Sequence, residues 1–516
     1  MAAGVRARSR PHTGLSESAV AFGVMLAVLG VALFTSVRAP DLIGQSPLVI
    51  APFMALPVWL LITNKPELGL AVLLIYLGVV DGFIKLKVGT ELPTLGRDVL
   101  LYALAIGMLL RAKVSGKQLD LPPLTGWVIA FVLVVLVQLL NPANQSWLHS
   151  VAALRQHIEF VPLFFIGYAV MRSKQRLRMF FLLMLLVASV NGAVSLMQFN
   201  LSPDQLASWG PGYSNLINGV GSAPRTAEGK DGEKRVRPPG LGSDMGFAGN
   251  LGAVALPGAL ALLALGRFNR RQAWLAAALT PGAVVAIVTS QSRSVVVVAV
   301  VAVIVFAALA LLAGQALRIA LGGLVAIVLA FSAISFVGHS DSGAFYRYSS
   351  VKPGELINTT VNARSQTIEQ IPLYAARFPL GAGIGSVGPA ASFEGEGLPL
   401  NAESQFTFMI VELGVIGLLV YIAFQVRLLT MVLPGLRRLE DRESRLLIAA
   451  LITPLVEFIA MWIIGVTTTS SPNAPYIWFA AGAAVWWVYR SEIRARPAPA
   501  PLHAPPVARP PVPTPA

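Results

Sequence analysis

Four arginines and one glutamate have the types and positions to act together on a phosphate and a hydroxyl. Each adjoins a long apolar stretch or a long polar loop. Arginine binds phosphate oxygens through two parallel N–H groups and never loses its charge. A carboxylate accepts a proton from a reacting hydroxyl. The five residues are Arg155, Arg237, Arg293, Arg364 and Glu403.

Arg293 stands out because it is the only formally charged residue between Leu275 and Ala313, in the run "TSQSRSVVVV". A charge at bilayer depth costs a few kcal/mol at least, so it rarely persists without a reason. The pattern favours a turn between two membrane spans, with Arg293 at a membrane face. The alternative is an interfacial arginine whose side chain merely reaches the lipid headgroups.

The other candidates have structural alternatives as well. Arg155 and Glu159 are spaced i, i+4, which predicts an ion pair within one helix. Arg237 has the position of an ordinary solvated loop charge. Glu403 precedes a predicted helix, whose N-terminus favours an anion whatever its function.

The elements that position these residues are predicted to be transmembrane helices. The chain has 516 residues, of which 55% are hydrophobic and only 12% are charged. A helix crosses a bilayer with about 20 apolar residues, and on that measure we expect an all-α polytopic membrane protein with about 12 to 14 spans. The predicted spans are 18–37, 47–63, 68–84, 97–111, 124–141, 151–171, 178–198, 241–266, 273–290, 293–314, 317–337, 405–427, 446–467 and 474–490.

Basic loops predict the orientation. The short connections 111–117, 172–178, 267–271 and 427–445 are rich in Lys and Arg, which indicates the cytoplasmic face. Both termini then lie in the cytoplasm, and Arg293 lies at the outer face. The net charge of +14 reflects these loops, so no nucleic-acid partner is expected. Cysteine is absent, which excludes disulfides and thiol chemistry.

This topology divides the chain into six regions. Two long loops emerge on the outer face, and a Pro/Ala-rich tail is expected to be disordered in the cytoplasm. The regions are N-terminal spans 1–198, an extracytoplasmic loop 199–240, central spans 241–337, a large extracytoplasmic loop 338–404, C-terminal spans 405–490 and the tail 491–516.

The large outer loop carries two local signals. Ile368, Ile371, Ala375 and Phe378 are spaced for one face of a helix lying on the membrane surface, although Pro372 should bend or split it. "GAGIGS" at 381–386 predicts a glycine-rich turn. It lacks the strand and helix that would make it a nucleotide site.

Four segments, in order, resemble the superfamily of O-antigen ligases and O-antigen polymerases. None of the four motifs is specific alone, because each is short and partly apolar. They are "RPPGLGSDMGFAGNLGAVALPGALALL" at 237–263, "TSQSRSVVVV" at 289–298, "RSQTIEQIPLYAARFPLGAGIGS" at 364–386 and "NAESQFTFMIVELGVIGLLVYI" at 401–422.

The resemblance implies an integral glycosyltransferase of the cytoplasmic (inner) membrane that needs no metal ion or cofactor. Such an enzyme moves a glycan from undecaprenyl pyrophosphate onto an acceptor. By this likeness, Arg237 and Arg293 match the paired arginines of the ligases, and Arg155 or Arg364 would assist in binding pyrophosphate. Ligases have a histidine at the acceptor-activating position, whereas this chain has Glu403. That difference favours a polymerase or exopolysaccharide enzyme, with Glu403 as the base.

Two functions from other classes stay open. A transporter or flippase for a lipid-linked oligosaccharide or another solute would show paired halves and ionisable groups near mid-bilayer. A scaffold for polysaccharide-assembly proteins would tolerate the loss of Arg293. The gathering of charges at one face favours the enzyme.

Overall fold

The computed structural model describes residues 47–89, 92–116, 120–144, 147–219, 225–228, 232–266, 269–314, 348, 367–388, 400, 402–463, 465–469 and 471–495. The predicted spans 18–37 and 317–337, residues 496–516 of the predicted tail and Arg364 lie outside the described residues, whereas residues 491–495 of that tail are helical.

Helices account for 77% of the described chain. A π-helical turn, Tyr76–Val80, joins the helices Pro66–Ile75 and Asp81–Val88, and a 3₁₀ turn, Gln138–Leu140, follows the helix Thr125–Val137. The helices are α1 Pro47–Ile62, α2 Pro66–Ile75, α3 Asp81–Val88, α4 Leu92–Val114, α5 Thr125–Val137, α6 Trp147–Ile158, α7 Pro162–Val170, α8 Lys174–Phe199, α9 Pro203–Ala207, α10 Pro211–Asn218, α11 Phe247–Ala264, α12 Arg270–Thr289, α13 Arg293–Leu312, α14 Gln405–Arg438, α15 Arg442–Ala460 and α16 Asn473–Ala495.

Two further elements lie in the two regions predicted to be long loops. Strands β1 Thr226–Glu228 and β2 Lys234–Val236 form an antiparallel hairpin in which Thr226 pairs with Val236. Residues 367–377 are helical and are called the 367–377 helix.

Six of these helical runs are long and apolar enough to cross a membrane. The protein is therefore an all-α polytopic membrane protein, as its composition predicts. The six runs are Pro66–Val88, Lys174–Phe199, Phe247–Ala264, Arg270–Thr289, Arg293–Leu312 and Gln405–Arg438.

Glycines bring several of the helices into backbone contact. Gly192 of α8 abuts the carbonyl of Gly282 in α12, and Gly482 of α16 abuts the carbonyl of Phe164 in α7. Small residues drive helix association in lipid because they allow close van der Waals packing. These contacts pair α8 with α12 and α7 with α16 in the helical core.

The predicted single span 151–171 is wrong: the structure divides it. α6 ends at Ile158 and α7 begins at Pro162. Proline has no backbone N–H and favours the first turn of a new helix, so it starts α7 instead of continuing α6. The interruption leaves Glu159 at a buried turn beside Arg97 of α4, where their charges pair.

Candidate functional site

The Arg293 turn is where the sequence predicts it. α12 ends at Thr289, Ser292 is the N-cap of α13, and exposed Arg293 is the first residue of that helix. Gln291 between them has φ 53°, in the left-handed region. The Ser290 hydroxyl donates to the carbonyl of Ile287 at 2.7 Å, which closes the end of α12. Arg293 therefore occupies a tight turn between two spans.

Two buried amides of α8 hold the segment that follows Arg237. Gln198 accepts a hydrogen bond from Gly240 N at 2.9 Å and donates one to Gly240 O at 2.9 Å. Asn191 Oδ1 accepts from Leu241 N at 2.9 Å. Sequence reasoning missed both amides. A polar side chain inside an apolar span is the signal that could have found them, because it must satisfy its hydrogen bonds within the protein.

The segment that follows Arg237 continues into α11, and the first turn of α11 packs against the Arg293 turn. Gly246 caps the N-terminus of α11, and a Cβ there would lie 3.7 Å from Val295 Cγ2. A Cβ on Gly249 would lie 2.7 Å from Val295 Cγ1 and 2.9 Å from Ser290 Cβ. The N-terminal ends of α11 and α13 are thus in direct contact.

Glu403 lies just before a third helix N-terminus in the same region. Ser404 caps α14 in a capping box with Thr407, and Glu403 itself is exposed. Gln405 N donates to Trp462 O at 2.8 Å. The neighbouring Met461 packs in one apolar cluster with Val295 of α13. The start of α14 is therefore bonded to the segment that follows α15, which also contributes Met461 to the apolar cluster of α13.

The convergence of these helix starts has an electrostatic consequence. Each helix N-terminus carries about half a positive charge and leaves backbone N–H groups free to bind an anion. The starts of α11 and α13 are in contact beside Arg293. An arginine in the first turn opposes the helix dipole, so Arg293 gains nothing there from its own helix. A bound anion would offset that repulsion.

Arg155 belongs to a separate network of charges on α3, α4 and α6. It lies beside Asp98, with Nη2 3.3 Å from Asp98 Oδ1, and its Nε lies 3.7 Å from Glu159 Oε2. The predicted i, i+4 ion pair is thereby confirmed. Arg97 pairs with Glu159 at 2.6 Å and with Asp81 at 3.3 Å. Arg155 is 30% exposed at its side chain, and its guanidinium faces carboxylates of the same chain.

A fully buried carboxylate, Glu412, holds the glycine-rich loop 381–388. Its Oε1 accepts from Gly385 N at 3.2 Å and from Val387 N at 3.3 Å. Its Oε2 lies 2.6 Å from Nε2 of His157 on α6, which is also buried. Sequence reasoning missed this pair, although a carboxylate in the apolar run "MIVELGVIG" is itself a signal for a buried partner.

Two of the sequence motifs form one structural unit at this loop. α14 kinks at Gly414, where φ is 71° and ψ is 179°. A Cβ on Gly414 would lie 2.6 Å from Leu380 C, and one on Gly381 would lie 2.9 Å from Glu412 O. Ala382 N donates to Val411 O at 2.6 Å. The segment 379–383, of sequence PLGAG, therefore packs backbone to backbone against the segment 412–414, of sequence ELG.

The fold and these contacts define a polytopic membrane protein in which the N-terminal ends of two helices meet beside an exposed arginine. Residues 276–422 match the model of a family described as O-antigen ligase. That segment includes Arg293, Glu412 and three of the four motifs, and its match supports the resemblance to O-antigen ligases and polymerases. A search of curated proteins gives no match.

Proposed function

We propose that this protein transfers a glycan from a polyprenyl pyrophosphate onto an acceptor sugar hydroxyl at the outer face of the cytoplasmic membrane. The observation that carries the proposal is the exposed Arg293 at the start of α13, in contact with the start of α11 and within the matched segment. A pyrophosphate linked to a membrane lipid has its charge at this depth. It would complement both the guanidinium and the helix N-termini.

In the proposed reaction, Arg293 and Arg237 bind the pyrophosphate, and Glu403 receives the proton of the acceptor hydroxyl. The acceptor oxygen attacks the anomeric carbon as the bond from that carbon to the pyrophosphate oxygen breaks. The arginines stabilise the negative charge that develops on the leaving pyrophosphate. Attack from the side opposite the leaving group inverts the anomeric configuration. The bond between the anomeric carbon and the pyrophosphate already activates the donor, so the proposed mechanism uses no nucleotide and no metal ion.

Arg155 and Arg364 have secondary roles in this proposal. Arg155 already pairs with Asp98 and Glu159, so it would assist substrate binding only by exchanging one of these carboxylates for a phosphate. Arg364 would contribute a further cation from the large outer loop. The acceptor is another lipid-linked glycan in a polymerase and a lipid or core glycan in a ligase. Other polysaccharide-assembly proteins are proposed partners.

A transporter is the second candidate because charged groups are buried among the helices. Asp81, Arg97 and Glu159 are linked by ion pairs, and Glu457 of α15 is buried with no hydrogen-bond partner for its carboxyl oxygens among the described residues. Intramembrane ionisable groups are typical of transport pathways. The two functions separate in detergent, where transfer can proceed but transport cannot.

Variants at Arg293 test the enzyme proposal. Arg293→Ala and Arg293→Lys should each reduce the initial rate of glycan transfer on the order of 100- to 1000-fold, since one preorganised electrostatic contact is lost. Lysine should not replace arginine, because its ammonium group cannot form the two parallel hydrogen bonds that a planar guanidinium donates to a phosphate. The measurement is the initial rate with purified protein at matched concentrations.

The matched control is Arg235→Lys. Arg235 is an outer-loop arginine in β2 that pairs with Glu233 at 3.2 Å, and its replacement should leave the rate unchanged. If Arg293 served only to contact lipid headgroups, lysine would substitute for it freely. Near-wild-type turnover by Arg293→Lys would remove Arg293 from the active site.

A further inference from the structure

A cavity of about 250 Å³ lies between the connection from α5 to α6 and the glycine-rich loop 381–388. This volume is far above the roughly 10 to 15 Å³ that one water molecule needs. Its lining includes Asn144, His149, Phe378, Gly381, Ala382 and Ser386.

The walls of this cavity are held rigidly. Asn144 Nδ2 donates to Gln138 O at 2.8 Å and to Leu139 O at 3.1 Å. His149 Nε2 lies 2.7 Å from Gly385 O, while Glu412 accepts from the N–H of the same glycine. Both backbone groups of Gly385 are therefore engaged. A preformed wall reduces the ordering cost of binding a small ligand.

Glycines allow the loop to lie this close to the opposite wall. Gly383 and Gly385 have φ of 95° and 84°, in the left-handed region that other residues rarely adopt. A Cβ on Gly383 would overlap Asn144, and a Cβ on Gly385 would overlap His149. The sequence "GAGIGS" thus has a packing role at this cavity, where the two walls approach each other.

Two buried polar atoms in the lining have no hydrogen-bond partner among the described residues: Asn144 Oδ1 and Ser386 Oγ. An unpaired buried polar group is costly, and a ligand hydroxyl that reaches it removes that cost. The half-buried ring of Phe378 adds an apolar surface. Among the described residues that line the cavity there is no Lys, Arg, Asp or Glu, so the cavity suits a neutral ligand and not a phosphate.

We propose that this cavity binds one sugar ring. A sugar presents hydroxyls for Asn144 and Ser386, and the C–H groups of its ring form an apolar face for Phe378. The ring is neutral, which matches the uncharged lining. Identifying it as part of the transferred or accepting glycan rests on the proposed function, whereas the binding of a sugar does not.

Saturation-transfer NMR tests the proposal on the full chain in detergent. The probes are glucose, galactose, mannose, rhamnose and N-acetylglucosamine, each added alone at millimolar concentration without any lipid-linked donor. At least one should receive saturation from the protein. Ala382→Leu should abolish the signal because its side chain fills the cavity. Ser386→Ala should weaken the apparent affinity about three- to tenfold, the loss expected for one hydrogen bond.

Ser208→Ala is the matched control, because Ser208 is an exposed outer-loop serine remote in sequence from the cavity. It should leave the sugar signals unchanged. Size-exclusion profiles check that each variant folds, and Ser386→Ala provides a test even if Ala382→Leu does not fold. Absence of saturation for all five sugars, or equal signals in wild type and both cavity variants, would overturn the proposal. Since no donor is present, this result is independent of whether the protein transfers glycans.

Discussion

Glu412 joins three segments that are distant in the chain. Its carboxylate binds the loop 381–388 through two backbone N–H groups and binds α6 through His157. A buried charge is tolerated only when its partners compensate the loss of solvation. Removing the carboxylate leaves a buried imidazole and two N–H groups without their acceptor.

We predict that Glu412→Ala lowers the free energy of unfolding by about 3 to 5 kcal/mol, as is typical when one member of a buried pair is removed. Glu369→Ala is the control, since Glu369 is an exposed carboxylate on the 367–377 helix. It should change stability by less than about 0.5 kcal/mol. Thermal unfolding in detergent measures both. Equal midpoints for the two variants would contradict the role of Glu412 as the anchor of the loop.

At the residue scale, the sequence predicted the turn at Arg293 because one charge in a long apolar run has few explanations. It did not predict the pairing of Glu412 with His157, since these residues are 255 positions apart in the chain and nothing local links them. The anchoring of Gly240 and Leu241 by Gln198 and Asn191 was missed for the same reason. Whether Arg237, Arg293 and Glu403 bind substrate stays a prediction.

The outer part of α14 is an element whose direction is set by one kink. Gly414 adopts φ 71°, and its backbone packs against that of Pro379 and Leu380. The kink lets the helix start reach the 461–468 connection, where Gln405 Oε1 accepts from Thr467 N at 2.9 Å. The position of Glu403 therefore depends on a conformation that favours glycine.

Gly414→Ala should lower the free energy of unfolding by at least about 2 kcal/mol, because a left-handed conformation costs roughly 1 to 2 kcal/mol and the Cβ also overlaps backbone atoms. Gly126→Ala is the matched control in α5, where a Cβ meets nothing within 4 Å. It should be neutral or slightly stabilising. Unfolding midpoints of the two variants provide the measurement. A tolerated alanine at 414 would show that the kink is not required.

The sequence predicted that a helix forms at 367–377, but it did not predict correctly which side of that helix packs against the core. Ile371, Ala375 and Phe378 do pack against the core, but Ile368 is 46% exposed and Tyr374 is buried instead. Pro372 lies inside the helix without ending it. Apolar spacing alone could not decide the face, since both sides of this helix carry apolar residues.

The orientation of the whole molecule rests on its basic loops. The chain has no native cysteine, so single cysteines can be labelled without background. Ser208→Cys, in the first outer loop, should react with an impermeant thiol reagent in intact cells. Ser115→Cys, in the basic connection after α4, should react only after permeabilisation. Both positions are exposed, so accessibility to solvent is matched. Labelling of Ser115→Cys in sealed cells would reverse the assignment of faces.

For the whole molecule, composition was enough to predict an all-α membrane protein, because only helices satisfy the backbone within a bilayer in a chain of this hydropathy. Helix limits were less predictable. α14 continues to Arg438, well past the predicted end at 427, since polar residues at a membrane face need not end a helix. The predicted division into six regions stays a proposal.

The most direct measurement of the central claim is the reaction itself. Purified protein in detergent is incubated with a polyprenyl-pyrophosphate oligosaccharide, and the glycans and released lipid are analysed by gel and mass spectrometry. We expect release of polyprenyl pyrophosphate together with transferred glycan. A polymerase gives a ladder of glycans, and a ligase gives a single addition when its acceptor is supplied. Arg293→Ala should give neither. Failure of folded wild-type protein to turn over donor with any acceptor, while the same preparation moves that donor across vesicle membranes, would contradict the enzyme and support the transporter.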